Sequence, residues 1–300
     1  METVVVDHLS KSFGALRAVD DISFSVAPGE IFGLLGPNGA GKTTTIRLIL
    51  DIFKPESGSI SVFGGPMNER KKDQIGYMPE ERGLYRDITL ERCLVYLGSL
   101  KGLNPAEVRR RAEPFLARFD LVDYRHKKVS ELSKGMQQKA QIIVTLLHKP
   151  ALIIIDEPFA GLDPVNSRLV KDLLLELRAE NVSIVMSTHM MHQVEELCDR
   201  LVLIDHGRVL LYGGLHDIRQ GFSGNAVVIR ARNPLPELAG VVNSEQKNGA
   251  TRLTLAPGTL PQMVLQDLVQ QDVLLDKFEI ALPTLDEIFV QVVGQGEGRK

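Results

Sequence analysis

An α/β core with an inserted helical subdomain, followed by a small α+β domain, is the fold that the sequence predicts, and three observations predict it. Strand patterns alternate with helical periodicity between Ile22 and Met186, and the interval from Tyr85 to Lys149 reads as helices alone. A fresh run of strands and helices opens near Asn225, behind a glycine-rich stretch.

Taking the elements in order, Ile22, Phe24 and Val26 alternate with polar residues as a half-buried strand does, and Ala27-Pro28-Gly29 turns the chain into a second strand, Ile31–Leu35. Residues 152–155 and 182–186 are short, nearly continuous apolar runs, the pattern of strands covered on both faces. Helical periodicity in residues 167–177 lies between them. The core is therefore a mixed sheet flanked by helices, in which ligands gather beyond the carboxyl ends of the strands. In the helical subdomain, residues 85–150, Pro105 suits a first turn and residues 107–119 form a basic, amphipathic stretch.

Residues 201–204 and 209–212 flank Asp205-His206-Gly207-Arg208 as a hairpin, and Gly213-Gly214 with residues 221–224 reads as linker. Residues 1–216 form the first domain and residues 225–300 the second. The second has strands at 226–230 and 251–255, a helix bearing Leu260, Val264 and Leu268, a strand at 273–275 and a last helix opened by a Thr284/Glu287 capping box.

Composition narrows the function. The 300 residues are 44% apolar and 24% charged, as in an ordinary folded protein, and the formal charge of −3 comes from well-mixed residues. No basic stripe marks a nucleic-acid face and no polybasic run marks a lipid surface. Cys93 and Cys198 belong to no metal-ligand pattern and are expected as buried, reduced thiols. The amino terminus lacks a basic start followed by an apolar run, so a cytoplasmic location is expected. Residues 141–156, the most apolar region, are interrupted by Thr145, His148, Lys149 and Pro150, so any route across a bilayer belongs to another chain.

The chemistry begins at Gly36-Pro37-Asn38-Gly39-Ala40-Gly41-Lys42-Thr43, which fits GxxxxGK[ST] between a strand and a helical run starting near Thr44. Glycines let successive N–H groups point at phosphate oxygens, and the helix adds positive potential at its start. Lys42 should reach the β and γ phosphates of ATP, and Thr43 should ligate Mg²⁺. Asp156 and Glu157 follow a buried strand, where Asp156 can hold Mg²⁺ and Glu157 can orient or deprotonate the attacking water; a simple turn is the other use of such residues. His189 follows the next strand at the same sheet edge and is read as a γ-phosphate sensor.

Together with Leu132-Ser133-Lys134-Gly135-Met136-Gln137-Gln138 and the Gly161-Leu162-Asp163 turn, this ordered set resembles the ATP-binding cassette of ABC transporters, within the P-loop NTPases, over residues 1–214. Ser133 suits an N-cap in any case. The resemblance implies a dimer with a second ABC ATPase subunit, ATP being sandwiched between the P-loop of one and Ser133 and Gly135 of the other. It also implies an integral membrane permease partner, peripheral attachment to the inner face of the membrane through it, and no nucleic acid. Phe13 matches the aromatic that stacks on adenine, with core packing as its alternative. Asp163 belongs to the nucleotide-binding set. Glu80 stands where the family usually has a Gln that senses Mg²⁺ and faces the permease. The Lys134-containing signature, the Pro79-Glu80-Glu81-Arg82-Gly83 loop and the carboxy-terminal domain resemble the bacterial exporter branch. The alternative function is a non-transport ABC ATPase acting on nucleic acid or ribosomes, against which stand a single P-loop and the absence of sustained heptads.

Overall fold

In the computed structural model, which describes residues 1–81, 83–222, 226–247, 249–256 and 258–297, the first 35 residues enter two different sheets. β1 (Val4–Phe13) and β2 (Leu16–Val26) pair antiparallel, whereas β3 (Ile31–Leu35) leaves them for the central sheet. α1 (Lys42–Ile49) follows β3, and β4 (Ser57–Val62) then returns to the free edge of β1, completing a three-stranded sheet. β1 shifts register between Val6 and Leu9 and again up to Ser12, so its inward and outward positions do not alternate regularly.

After α2 (Glu69–Lys72) and β5 (Ile75–Met78) come the helices of the subdomain, α3 (Leu90–Leu100), α4 (Pro105–Arg118) and α5 (Lys134–Leu146). Asn104 caps α4 by accepting from Glu107 N at 2.9 Å, and Pro105 occupies the first position, where no N–H is needed. Leu90, Cys93, Leu94, Val108, Leu116 and Phe119 are buried between these helices. Gly98 allows α3 and α4 to meet, because a β-carbon there would lie 2.5 Å from Val108 Cγ2. α5 is buried along most of its length, Gln138 through Ile143 included.

β6 (Leu152–Asp156), α6 (Pro164–Ala179), β7 (Ser183–Thr188), α7 (Met191–Leu197), β8 (Arg200–Asp205) and β9 (Arg208–Gly214) complete the first unit, residues 1–214. The central sheet runs β5-β6-β7-β3-β8-β9, parallel except for β9. Every residue of β3, β6 and β7 is buried, which is why these segments are apolar without alternation. Their register sets Asp156 beside Ser187 and Leu35 beside Thr188, so all three strands end together. Both cysteines are free and buried, and burial raises the Cys198 thiol strongly.

The second unit, residues 215–300, opens with α8 (Leu215–Gly221). The expected linker is thus corrected: Gly213 and Gly214 end β9, paired with Leu201 and Arg200, and Gly221 ends a helix, while residues 223–225 lie outside the described residues. An antiparallel sheet of order β11-β12-β10-β13 follows, from β10 (Ala226–Ala231), β11 (Val241–Lys247), β12 (Ala250–Leu255) and β13 (Leu275–Ile280). Val227, Ile229, Leu253 and Leu255 pack there against Val264 and Leu268 of α9 (Pro261–Gln270). The capping box forms at the start of α10 (Leu285–Glu297): Thr284 N donates to Glu287 Oε2 at 2.9 Å, and Glu287 N to Thr284 Oγ1 at 3.2 Å.

Where α5 meets β5, a histidine is trapped in its neutral form. His148 Nε2 lies 3.0 Å from Ile75 O, which also accepts from Lys101 Nζ at 3.3 Å, and His148 Nδ1 is buried without a partner among the described residues. Burial, with help from Lys101 and Arg111, lowers its pKa. Between the depressed folded value and the ordinary ~6.5, the unfolded chain therefore binds the proton that the folded state refuses. Its contribution to stability is whole above about pH 6.5 and drains as pH falls toward the folded value. Melting temperatures between pH 7.5 and 5.5 should fall less steeply in His148→Gln, which keeps a donor for Ile75 O and cannot titrate; equal slopes would remove His148 as the cause.

Candidate nucleotide site

The loop between β3 and α1 has its shape because two glycines lie where no side chain fits. Gly36 has φ 152° and a β-carbon there would stand 2.1 Å from Ile204 O; Gly41 has φ 108° and its β-carbon would stand 2.3 Å from Ala18 O. Pro37 and Ala40 close a turn through Ala40 N to Pro37 O at 3.2 Å, and Ala40 O accepts from Gly207 N at 2.9 Å. Gly41 is the N-cap of α1 and supplies no side chain, and the first turn contains no acidic residue, so the amino end of the helix keeps its positive potential.

Lys42 is buried and folds back over this loop, its Nζ donating to Gly36 O at 2.7 Å and Pro37 O at 3.0 Å. Burial lowers its pKa, while the charges of Glu157, Asp156 and Glu80 push it back up. The next residue reaches the other way. Thr43 Oγ1 donates to Asp156 Oδ2 at 2.9 Å, and Ser187 Oγ donates to Asp156 Oδ1. A hydroxyl and a carboxylate oxygen thus stand side by side at the end of β6, hard donors of the kind Mg²⁺ takes when phosphates and water complete its shell. The residues fit the ion.

Glu157 is buried at φ 52°, a left-handed conformation uncommon for such a residue. The register of β7 fixes its surroundings. Glu157 N donates to Ser187 O at 3.0 Å, Oε2 accepts from Thr188 Oγ1 at 3.1 Å, and Oε1 accepts from His189 N at 3.0 Å. His189 Nδ1 lies 2.7 Å from the same Oε1. A carboxylate and an imidazole therefore stand within hydrogen-bond distance where the two strands end.

Lys42, Thr43, Asp156 and Glu157 border a cleft of about 450 Å³, lined also by Phe13, Asn38, Gly39, Gly41, Thr44 and Glu80; His189 stands behind Glu157 and is not among its lining residues. Phe13 is 45% exposed and touches Phe53 edge-on at 5.4 Å, so it lines the cleft instead of filling the core. Glu80 is exposed on the segment between β5 and α3. Arg17, Ala18, His206 and Gly207 also line the cleft; the last two come from the β8–β9 turn, read in the sequence only as a turn.

Ser133 and Gly135 do not border this cleft within the chain. Ser133 caps α5, accepting from Met136 N at 3.2 Å, and is exposed. Gly135 faces the Gly161-Leu162 turn, where a β-carbon would lie 3.4 Å from Gly161 O. Asp163 caps α6 by accepting from Asn166 N at 2.9 Å, and that bonding with Asn166 lowers its pKa. Two buried glutamines of α5 hold loops on either side of the site: Gln138, read in the sequence only as the end of the signature segment, and Gln141, to which the sequence assigns no role.

Among the described residues no helix is long and apolar enough to cross a membrane. Residues 19–160 match the family model for "ABC transporter", and residues 213–293 match that for "ATP-binding protein DrrA1-3-like, C-terminal domain". The uncharacterized ABC transporter ATP-binding protein YhaQ of Bacillus subtilis is 41% identical, covering 97% of this chain and 98% of its own. The Nod factor export ATP-binding protein I of Paraburkholderia xenovorans is 36% identical over 82% of this chain and 83% of its own. A solved ATP-binding subunit of an ABC transporter superposes with TM-score 0.68 at 38% identity, covering 73% of this chain and 93% of that one. With the loop, the strand ends and the paired acids in place, these matches establish that the chain belongs to the ATP-binding, ATP-hydrolysing subunits of ABC transporters.

Proposed function

We propose that the cleft binds ATP with Mg²⁺ and that Glu157 activates the attacking water. The observation that carries this reading is the convergence of Thr43, Asp156, Glu157 and His189 at the joint ends of β3, β6 and β7. The P-loop amides and the amino end of α1 cradle the phosphates, Lys42 exchanges its loop carbonyls for β- and γ-phosphate oxygens, and Phe13 offers a ring to adenine. Mg²⁺, held by Thr43 and Asp156, would neutralise charge on the β and γ phosphates. Glu157 takes the proton of the attacking water, and His189, which shares its carboxylate oxygen, reads the γ-phosphate.

Ser133 and Gly135 stand away from the cleft of their own chain, which supports a dimer in which each subunit closes on the other's nucleotide. A separate membrane permease then carries the cargo, and contact with it keeps the subunit at the inner face of the membrane. Export is the direction we favour, because a relative 36% identical is a Nod factor export ATP-binding protein. Residues 215–300 form a second unit with its own sheet and helices, to which we assign an accessory role.

Glu157→Gln should lower ATP turnover by at least about a hundredfold, the scale of general base catalysis, while ATP still binds and the dimer persists with ATP in light scattering. Turnover at the wild-type rate would remove Glu157 from the role of base. A chain ending at Gly214 should keep its affinity for a fluorescent ATP analogue within about threefold, well under the factor of ten that about 1.4 kcal/mol represents, since the described residues that line the cleft belong to residues 1–214. A folded truncation without nucleotide affinity would assign part of the site to the second unit.

A further inference from the structure

α5 presents two buried amides, one turn apart, to two loops that border the cleft. Gln138 Nε2 donates to Glu157 O at 3.3 Å and Pro158 O at 3.2 Å. Gln141 Nε2 donates to Pro79 O at 3.0 Å and Glu81 O at 3.4 Å. The second pair straddles Glu80. Residues 79–81 belong to neither helix nor strand, so no ladder of backbone hydrogen bonds fixes them, and a side chain from another element supplies the restraint.

We infer that Gln141 is a positioning residue for Glu80: its amide ties the carbonyls on both sides of Glu80 to α5, so that a shift of α5 at its Ser133 end moves the Glu80 carboxylate relative to Lys42 and the phosphates. The inference rests on the reading of the cleft as an ATP site. Three observations carry it beyond ordinary packing. Gln141 is buried to 4% exposure, yet its Oε1 has no hydrogen-bond partner among the described residues. A buried acceptor left unpaired offsets part of what the two donated hydrogen bonds contribute, so the amide is a weak stabilising device but a directional tether. The same helix is capped by Ser133, holds the carbonyl of Glu157 through Gln138, and meets Asn166 beside Asp163 through Lys139 Nζ at 3.0 Å. Finally, Glu80 itself lines the cleft, together with Lys42, Thr43 and Asp156.

The test uses the full-length chain and three variants, Gln141→Met, Glu80→Ala and the double substitution, each measured for ATP turnover with Mg²⁺ and for melting temperature. Gln141→Met fills the same space without donors and frees the orphaned oxygen. It should hold or raise the melting temperature, lower kcat by about tenfold and leave KM for ATP within about twofold. Because Gln141 acts through Glu80, the double variant should turn over within about twofold of Glu80→Ala alone. Wild-type kcat in Gln141→Met, full activity in Glu80→Ala, or losses that multiply in the double variant would each overturn the assignment. If Gln141→Met does not fold, Gln141→Glu, which replaces the donors by a carboxylate facing two carbonyls, must show the same loss and the same non-additivity. A wild-type chain without ATP turnover would instead bring down the reading of the cleft itself.

Discussion

The register of three parallel strands is the constraint on which the rest of the site depends. β3, β6 and β7 end level because Leu35 lies beside Thr188 and Asp156 beside Ser187. Side chains alternate with a period of two, so a slip of one residue in β6 would turn Asp156 away from Thr43 and Ser187 and send an isoleucine to the polar edge. The fully buried apolar residues of these strands prevent the slip, since any other register exposes some of them or buries a carboxylate without partners. Packing energy in the core is thereby converted into geometry at the edge, where nothing apolar remains to hold the acids in place.

That edge houses charge without neutralising it. Asp156 is 1% exposed and makes no salt bridge among the described residues; two hydroxyls, from Thr43 and Ser187, satisfy its two oxygens. Lys42, also buried, points at loop carbonyls and not at the three carboxylates whose charges reach it. A direct pair between Lys42 and Asp156 would be the lower-energy arrangement for an inert core and would consume both groups. Kept apart, one remains a cation for phosphate and the other an oxygen donor for a metal ion. Glu157 follows the same logic at φ 52°, its strain borne by bonds to Ser187, Thr188 and His189.

Much of this was legible in the sequence because short-range chemistry determines it. The glycines of the P-loop, the acids after an unbroken apolar run and the serine before α5 each leave a local signature that does not depend on distant contacts. β1 and β4 leave none: β1 changes register three times against β2 and loses its alternation, and β4 reads Ser-Gly-Ser-Ile-Ser-Val, with only Ile and Val hydrophobic. Gly213 and Gly214 read as linker because nothing in a pair of glycines reveals that β8 supplies the partners that keep them in a strand. The tethering roles of Gln138 and Gln141 were hidden for a related reason. On a helix they resemble any polar residue, and their targets, the carbonyls of Pro79, Glu81, Glu157 and Pro158, lie up to 62 positions away.

The site is thus divided between parts with different freedom to move. Strand ends hold Asp156, Glu157 and His189, whereas Ser133, Gly135 and the tether of Glu80 ride on α5, in a helical subdomain with its own buried residues between α3, α4 and α5. In the proposed dimer, moving an open-to-closed equilibrium from 1:99 to 99:1 takes about 5.5 kcal/mol of differential affinity, and ATP supplies it only through contacts present in the closed form alone. Strand ends whose contacts with phosphate were the same in both forms could not provide them. The half on α5 can. A chain that placed Ser133 on a strand end beside the P-loop would bind ATP more tightly and do no work with it, since binding that is equal in both states shifts nothing. Separating the signature from the P-loop, and tying the Glu80 loop to the helix that the signature opens, is what allows nucleotide binding to be felt at a distance.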